Sequence, residues 1–302
     1  MTSSIVLSIF LLTSAPETSP PKPSILVSVQ SLKWIIQELY PDENIDVICP
    51  PGNSPHTFEL KPENLKKASR ARFALSVDKE YDAWFDKLGI KKQARALDLL
   101  PAAFIQKPEF EKYHHDHEGQ DHQKHDHHHG SRDPHFWMNP LAVVALLKPL
   151  VKQICSWEPT DCARVEARSK DFSSRLISLD QQIQALMLPV KGKPFLSSHD
   201  GFGYFVRRYQ LDYLEPIEPL PGQEPSPKDI QRILKNASSK GVLTIFGEIQ
   251  LPTAPVEALA QATKIKVEIL DQYGAEAHIK NYRDLLLDTA QKIKKGLGPV
   301  GP

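Results

Sequence analysis

Residues 160–188, TDCARVEARSKDFSSRLISLDQQIQALML, carry the longest helical pattern in the chain. The apolar residues Val165, Phe172, Leu176, Leu179, Ile183 and Leu186 recur at steps of 7, 4, 3, 4 and 3. That rhythm puts them on one face of an α-helix. Thr160 or Asp161 can cap its start, and Pro189 ends it. At 1.5 Å per residue such a helix reaches roughly 43 Å, enough to bridge two lobes. The simpler alternative is a long core helix of a single domain.

On both sides of this segment, short β-rich runs alternate with helical patterns. The first set of predicted strands is 25–29, 45–49, 73–77 and 94–99, with helical stretches from Ser31 and near Glu63 and Tyr81. The second set is 195–198, 213–217, 242–246 and 267–270, with helical stretches around Phe205, at 230–234 and 256–262, and from Ile279 onward. Such alternation predicts parallel sheets covered by helices. The expected fold class is α/β: two α/β lobes, each with a mainly parallel sheet, joined by the long helix. The expected boundaries are a signal peptide and lead at 1–23, an N-terminal lobe at 24–158, the linking helix at 159–188 and a C-terminal lobe at 189–302.

Bulk properties narrow the function classes. The 302 residues are 40% hydrophobic and 25% charged, as in ordinary globular proteins. Lysine plus arginine and aspartate plus glutamate are equal at 37 each, so nothing suggests a nucleic-acid or anionic-membrane partner. The run IVLSIFLL at 5–12, followed by Thr13-Ser14-Ala15, suits a secretory signal with a small-residue cleavage site, although a basic leader is missing. A frayed apolar terminus is the alternative. That region has no cysteine to carry a lipid anchor, and no later segment reads as membrane-spanning. Cys155 and Cys162 flank SWEPTD, where either a disulfide or two free thiols fits; Cys49 stands apart.

Histidine is the unusual residue. Eight of the twelve lie in HHDHEGQDHQKHDHHH: His114, His115, His117, His122, His125, His127, His128 and His129. With no apolar residue to bury at 114–129, the loop 113–130 is expected to be mobile and to bind metal weakly. Four histidines remain. His56 lies in CPPGNSPHTFEL, His135 in RDPHFWMNP and His199 in FLSSHDGFGYF, the first and last beyond predicted strands. Ligands in open α/β sheets bind at the carboxyl ends of strands. Asp271, in VEILDQYG, also follows a strand. Three imidazoles and a carboxylate suit four-coordinate zinc. The separations of 79, 64 and 72 residues form no local motif, however, and a lone histidine after a strand is more often packed than ligating. His278, in GAEAHIKNYRD, reads as a surface residue.

Taken together, these contexts resemble the periplasmic zinc-binding proteins of ABC transporters, in the metal-specific (A-I) cluster of solute-binding proteins. The resemblance rests on GNSPHTFELKPENLKKAS around His56, on Asp133-Pro134-His135-Phe136-Trp137, and on His199-Asp200 with Phe202, Tyr204 and Phe205. It continues through Pro221-Gly222 with Glu224-Pro225-Ser226, Phe246 with Glu248 and Gln250, and Leu270-Asp271 with Gly274. These occur in order from about Ile25 to about Leu297, and the histidine-rich insertion stands where the family has one. Departures are Asn139 for a usual Asp, Gly201 for a usual Ala, and Gln272-Tyr273 for a usual Pro-Leu.

The resemblance implies a receptor, not an enzyme. It would be periplasmic, without a lipid anchor and monomeric, taking Zn2+ in the interlobe cleft and passing it to an ABC transporter permease in the inner membrane. His56, His135 and His199 would be ligands, and Asp271 would supply or support the fourth, with water or Glu59 as substitutes. The linking helix would be rigid, allowing modest closure. Glu248 and Asp200 could orient the imidazoles. The loop would gather zinc or sense its excess, or be a dispensable spacer. Alternatives are a manganese or iron receptor of the same family, a zinc-dependent hydrolase, or a metal store; no His-Glu-x-x-His motif supports the hydrolase.

Overall fold

The computed structural model describes residues 24–108, 132–218 and 225–298. The expected signal segment, the histidine-rich loop 113–130 and the residues Pro221, Gly222 and Glu224 lie outside these.

Two four-stranded, all-parallel sheets form the frame. The first contains β1 (Ser24–Val27), β2 (Ile45–Val47), β3 (Ala71–Ser76) and β4 (Gln93–Arg95), in the order β2-β1-β3-β4. The second contains β5 (Pro194–Ser197), β6 (Asp212–Tyr213), β7 (Thr244–Glu248) and β8 (Lys266–Leu270), in the order β6-β5-β7-β8. The two orders are the same pattern repeated. Strand β1 is buried along its whole length, so its residues read as a continuous apolar run rather than an alternating one.

Helices α1 (Gln30–Leu39), α2 (Pro62–Ala68) and α3 (Ala96–Leu99) accompany the first sheet, and α6 (Gly203–Tyr209), α7 (Pro227–Lys240), α8 (Ala254–Thr263) and α9 (Tyr282–Leu297) the second. Between the sheets run α4 (Pro140–Trp157) and α5 (Cys162–Met187). The long helix is therefore real, at 26 residues and about 39 Å. It packs on α1 and α4 on one side and on α6 and α9 on the other. Its buried face holds Val165, Phe172, Leu176, Leu179, Ile183 and Met187; Met187 takes the buried place expected of Leu186, which is only partly covered.

Asp180 is also buried on that face. It accepts from Arg208 Nε at 2.8 Å, from Arg208 Nη2, and from Tyr209 Oη at 3.2 Å, which ties α5 to α6. A charge can sit there because its oxygens are satisfied by a forked guanidinium.

Several local expectations change. The stretch expected as one strand at 94–99 is a strand to Arg95 and then the short helix α3. The strand expected at 213–217 shrinks to Asp212–Tyr213. Asp161 stands at the N-cap of α5 but makes no side-chain cap bond; its carboxylate meets Arg72 and Arg164 instead. Helix α4 was not anticipated, because PLAVVALLKPLV is apolar almost throughout and offers no period. By length and composition alone α4 could cross a membrane. Here Ala142, Val143, Leu146, Leu147, Leu150, Val151 and Ile154 are buried, and α4 packs mainly on α5. Cys155 and Cys162 form a disulfide across the α4–α5 turn, with Cα atoms 4.8 Å apart. Cys49 is a buried free thiol.

The largest apolar cluster is continuous across both halves. It takes in Ile25, Val27 and Phe73 from the first sheet, Phe195, Phe246 and Leu270 from the second, and the inner face of α5. A smaller cluster around Leu196, Ile233, Ile245 and Leu259 lies beneath α7 and α8. The two halves therefore share one core.

Candidate metal centre

Three separate connections deliver the three histidines. His56 sits in a single 3₁₀ turn, Pro55–Thr57, beyond β2. Trp84 Nε1 donates to the Pro55 carbonyl at 2.9 Å and pins that turn. His135 leads into the 3₁₀ turn Phe136–Met138, which runs directly into α4. His199 lies two residues beyond β5, with Ser197 Oγ donating to its carbonyl at 2.8 Å. Glu248 is the last residue of β7, the strand beside β5. These two strands meet where the order of the second sheet reverses, the place where α/β sheets open a ligand crevice.

The side chains converge. One ligand atom from each of His56, His135 and His199 lies within 4.8 Å of the others. Ring centroids are 5.2 Å apart for His135–His199, 5.6 Å for His56–His199 and 5.8 Å for His56–His135. His135 and His199 are buried, and His56 is the most open of the three.

Hydrogen bonds fix which nitrogen faces inward. His135 Nδ1 lies 2.9 Å from Asp133 Oδ1, which also accepts the His135 backbone N–H at 2.9 Å. His199 Nδ1 lies 2.5 Å from Glu248 Oε1. A carboxylate can only accept, so each Nδ1 carries the proton and donates it. The Nε2 lone pairs are left exposed to the centre of the cluster. Nε2 of His135 and of His199 is buried and finds no hydrogen-bond partner among the described residues. Buried lone pairs without partners are costly unless something electrophilic takes them. Two imidazoles so arranged, with His56 beside them, match zinc's preference for nitrogen donors in a tetrahedral site.

The carboxylates also set protonation. Burial, and then the neighbouring charge of His199, hold His135 well below the usual imidazole range. At His199 burial is again the largest influence and works the same way, but the Glu248 carboxylate and the charges of Asp200 and Asp133 together outweigh it and the net shift is upward. Burial raises Asp133 to about 7, against the pull of the His135 N–H. Glu248 is itself anchored, accepting from Ser198 Oγ at 2.7 Å and from Gln272 Nε2 at 2.6 Å.

Of the expected fourth ligands, neither joins the group. Asp271 is buried but spent on its own loop. Its Oδ1 accepts the N–H groups of Tyr273 at 3.0 Å and Gly274 at 2.8 Å and the Gln250 amide at 2.9 Å, and its Oδ2 accepts the Glu276 N–H at 2.8 Å. This carboxylate closes a turn rather than facing the histidines. Glu59 is exposed and stands outside the cluster too. Two other groupings of ligand-type residues occur among the described residues. One includes the disulfide; the other is Glu276, His278 and Asp288, where Lys292 already pairs with both carboxylates. The eight loop histidines fall outside the described residues.

Glu248 makes the ring-nitrogen contact that an orienting group would make, while Asp200 adds its charge to the field at His199. Sequence reasoning missed Asp133, although an aspartate two residues before a histidine in a proline turn was a usable signal. It also missed Tyr81, whose ring stands edge-on to His56 at 4.7 Å and to His135 at 5.6 Å. Nothing local to Tyr81 announces that contact.

Known proteins bear on the same site. Residues 25–296 match the family model "Zinc-uptake complex component A periplasmic". The high-affinity zinc uptake system protein ZnuA of Yersinia pestis is 25% identical over 244 residues, which is 76% of each chain. ZnuA of Brucella abortus is 29% identical over 168 residues, 56% of this chain and half of that one. A ZnuA crystal structure superimposes with a TM-score of 0.76 at 25% identity, covering 92% of this chain and all of the other. The periplasmic zinc binding protein TroA of Treponema pallidum, at 17% identity and a TM-score of 0.73, shares the fold over 92% of this chain. With nearly the whole described chain inside the family model and the same architecture in solved relatives, this chain belongs to the periplasmic zinc-uptake complex component A family.

Proposed function

We propose that this protein is an extracytoplasmic receptor that captures zinc with His56, His135 and His199 and hands it to the membrane permease of an ABC transporter. One observation carries the reading: three imidazoles from distant segments turn their ligand atoms to a common point within 4.8 Å. Zinc is cargo here, so the site must bind tightly yet release. Ligands drawn from both halves of the chain suit this, since a small movement of one half against the other would open the set.

The carboxylates nearest the site support capture rather than hydrolysis. Asp133 and Glu248 each hold an imidazole, so neither stands ready as a general base for a metal-bound water. The Cys155–Cys162 disulfide fits an oxidising compartment such as the periplasm. The histidine-rich segment at 113–130 would gather zinc loosely and raise its local supply.

Titration calorimetry with zinc tests the assignment. His56→Ala should weaken the tight site at least a hundredfold, and deleting residues 113–130 should leave that site intact while removing weaker ones. Unchanged affinity in His56→Ala would overturn the ligand set.

A further inference from the structure

We propose that the side-chain carbonyl oxygen of Gln272 is the fourth zinc ligand. The inference rests on the three-histidine site above and names the residue that completes it.

Gln272 follows Asp271 at the end of β8 and is 0% exposed. Its amide orientation is set by its neighbour. Glu248 Oε2 lies 2.6 Å from Nε2, and a carboxylate requires the NH₂ end of the amide. The other end, Oε1, is buried and has no partner among the described residues. An amide carbonyl left unpaired in the interior costs on the order of 1–3 kcal/mol, so it is expected to have a function.

The amide lies beside the cluster. A methyl group placed at Gly201 would stand 2.3 Å from Gln272 Nε2, 2.4 Å from His199 Cε1 and 2.8 Å from His199 Nε2. The Gln272 amide and the ligating edge of His199 therefore border one small space, which glycine leaves open. Gly201 and Gln272 both depart from the family pattern, and here they touch. One carboxylate, Glu248, holds both partners: Oε1 takes His199 Nδ1–H and Oε2 takes Gln272 N–H. The end of the amide that borders this space is Nε2, and the unpaired Oε1 is bonded to the same carbon; that oxygen would be a neutral, weakly donating fourth ligand. Asp271 is engaged in its own loop, where its two oxygens accept four N–H groups.

A neutral ligand has a consequence for the cargo. With three imidazoles and one amide, bound zinc keeps its full double charge, balanced only at one remove by Asp133 and Glu248. Such a site should release metal more readily than one with a direct carboxylate.

A crystal structure of the zinc-loaded protein, phased at the zinc edge, decides the matter. The expected result is Gln272 Oε1 at roughly 2.0–2.2 Å from the metal, the range for oxygen donors. Zinc on the three histidines with water or another residue in fourth place overturns the proposal and leaves the receptor reading standing. Zinc elsewhere overturns that reading itself. Zinc affinities of two variants give a second test, with apo-state melting confirming that both fold. Gln272→Ala should weaken zinc at least tenfold, while Gln272→Glu, which keeps an oxygen donor, should bind more tightly than Gln272→Ala. If Gln272 served only to position Glu248, the reverse order would appear, because Gln272→Glu sets two carboxylates against each other.

Discussion

His199 donates its Nδ1–H to Glu248 Oε1 across 2.5 Å, and the two side chains are 4% and 1% exposed. The bond does two things at once. It turns Nε2 toward the point where the three imidazoles converge, and it holds the imidazole's pKa above the usual value despite burial.

A pH dependence follows. Protonated imidazole cannot bind metal, so a raised pKa lets protons compete at higher pH than at an ordinary histidine. Zinc affinity should fall as pH drops toward and below about 6.5, the ordinary imidazole value. His135, held well below its usual value, is already neutral there and adds no competition. Calorimetry in buffers of different ionisation enthalpy should show zinc-linked proton release that rises as pH falls through that range. Glu248→Gln removes the charge that raises His199, so its acid loss should begin at lower pH. An onset unchanged in that variant would contradict the account.

Asp133 holds His135 as Glu248 holds His199, through a 2.9 Å bond to Nδ1. Asp133→Ala frees the ring to rotate and to change tautomer. Losing such a partner costs roughly 10–100-fold in metal affinity. A fluorescent zinc competitor should report that loss while the far-ultraviolet circular dichroism stays unchanged.

Tyr81 and Tyr273, 192 residues apart, share a hydroxyl–hydroxyl bond of 2.5 Å that joins the two halves beside the histidines. Both side chains are buried, at 7% and 3% exposure. Tyr273→Phe strands the Tyr81 hydroxyl and should cost about 1–3 kcal/mol in urea unfolding. Replacing both tyrosines removes donor and acceptor together. The double variant should therefore lose less than the two single losses added, and simple additivity would show that the bond contributes nothing.

The Cys155–Cys162 disulfide closes a short loop between α4 and α5. Chain-entropy reasoning for a loop of this size gives about 2.5 kcal/mol of stabilisation. Unfolding with and without reductant should show that difference, and Cys155→Ser with Cys162→Ser should reproduce the reduced protein. Zinc affinity should hardly change, since among the described residues no histidine contacts this turn.

Much of the frame was legible without coordinates. Strand-helix alternation gave the paired parallel sheets, and the 3.6-residue rhythm of Val165, Phe172, Leu176, Leu179 and Ile183 gave α5. These are local signals, set by backbone period and side-chain polarity. The failures were also physical. Helix α4 has too many apolar residues to show a period, and 94–99 changes from strand to helix within six residues. Asp180 carries a charge into an apolar face that periodicity cannot foresee, because Arg208 and Tyr209 arrive from another helix.

The site divides in the same way. Sequence alone supplied the three histidines, their strand-end contexts and the family pattern around them. It could not say whether Asp271 faces the metal, because an aspartate after a strand may bind a ligand or close its own turn. In the folded chain that carboxylate closes its own turn, accepting the N–H groups of Tyr273, Gly274 and Glu276. The fold also decided which nitrogen of His135 and His199 points inward, and set Gln272 beside His199 across Gly201. Residue type is fixed by sequence, but lone-pair direction depends on partners from remote segments, and only tertiary packing brings those together.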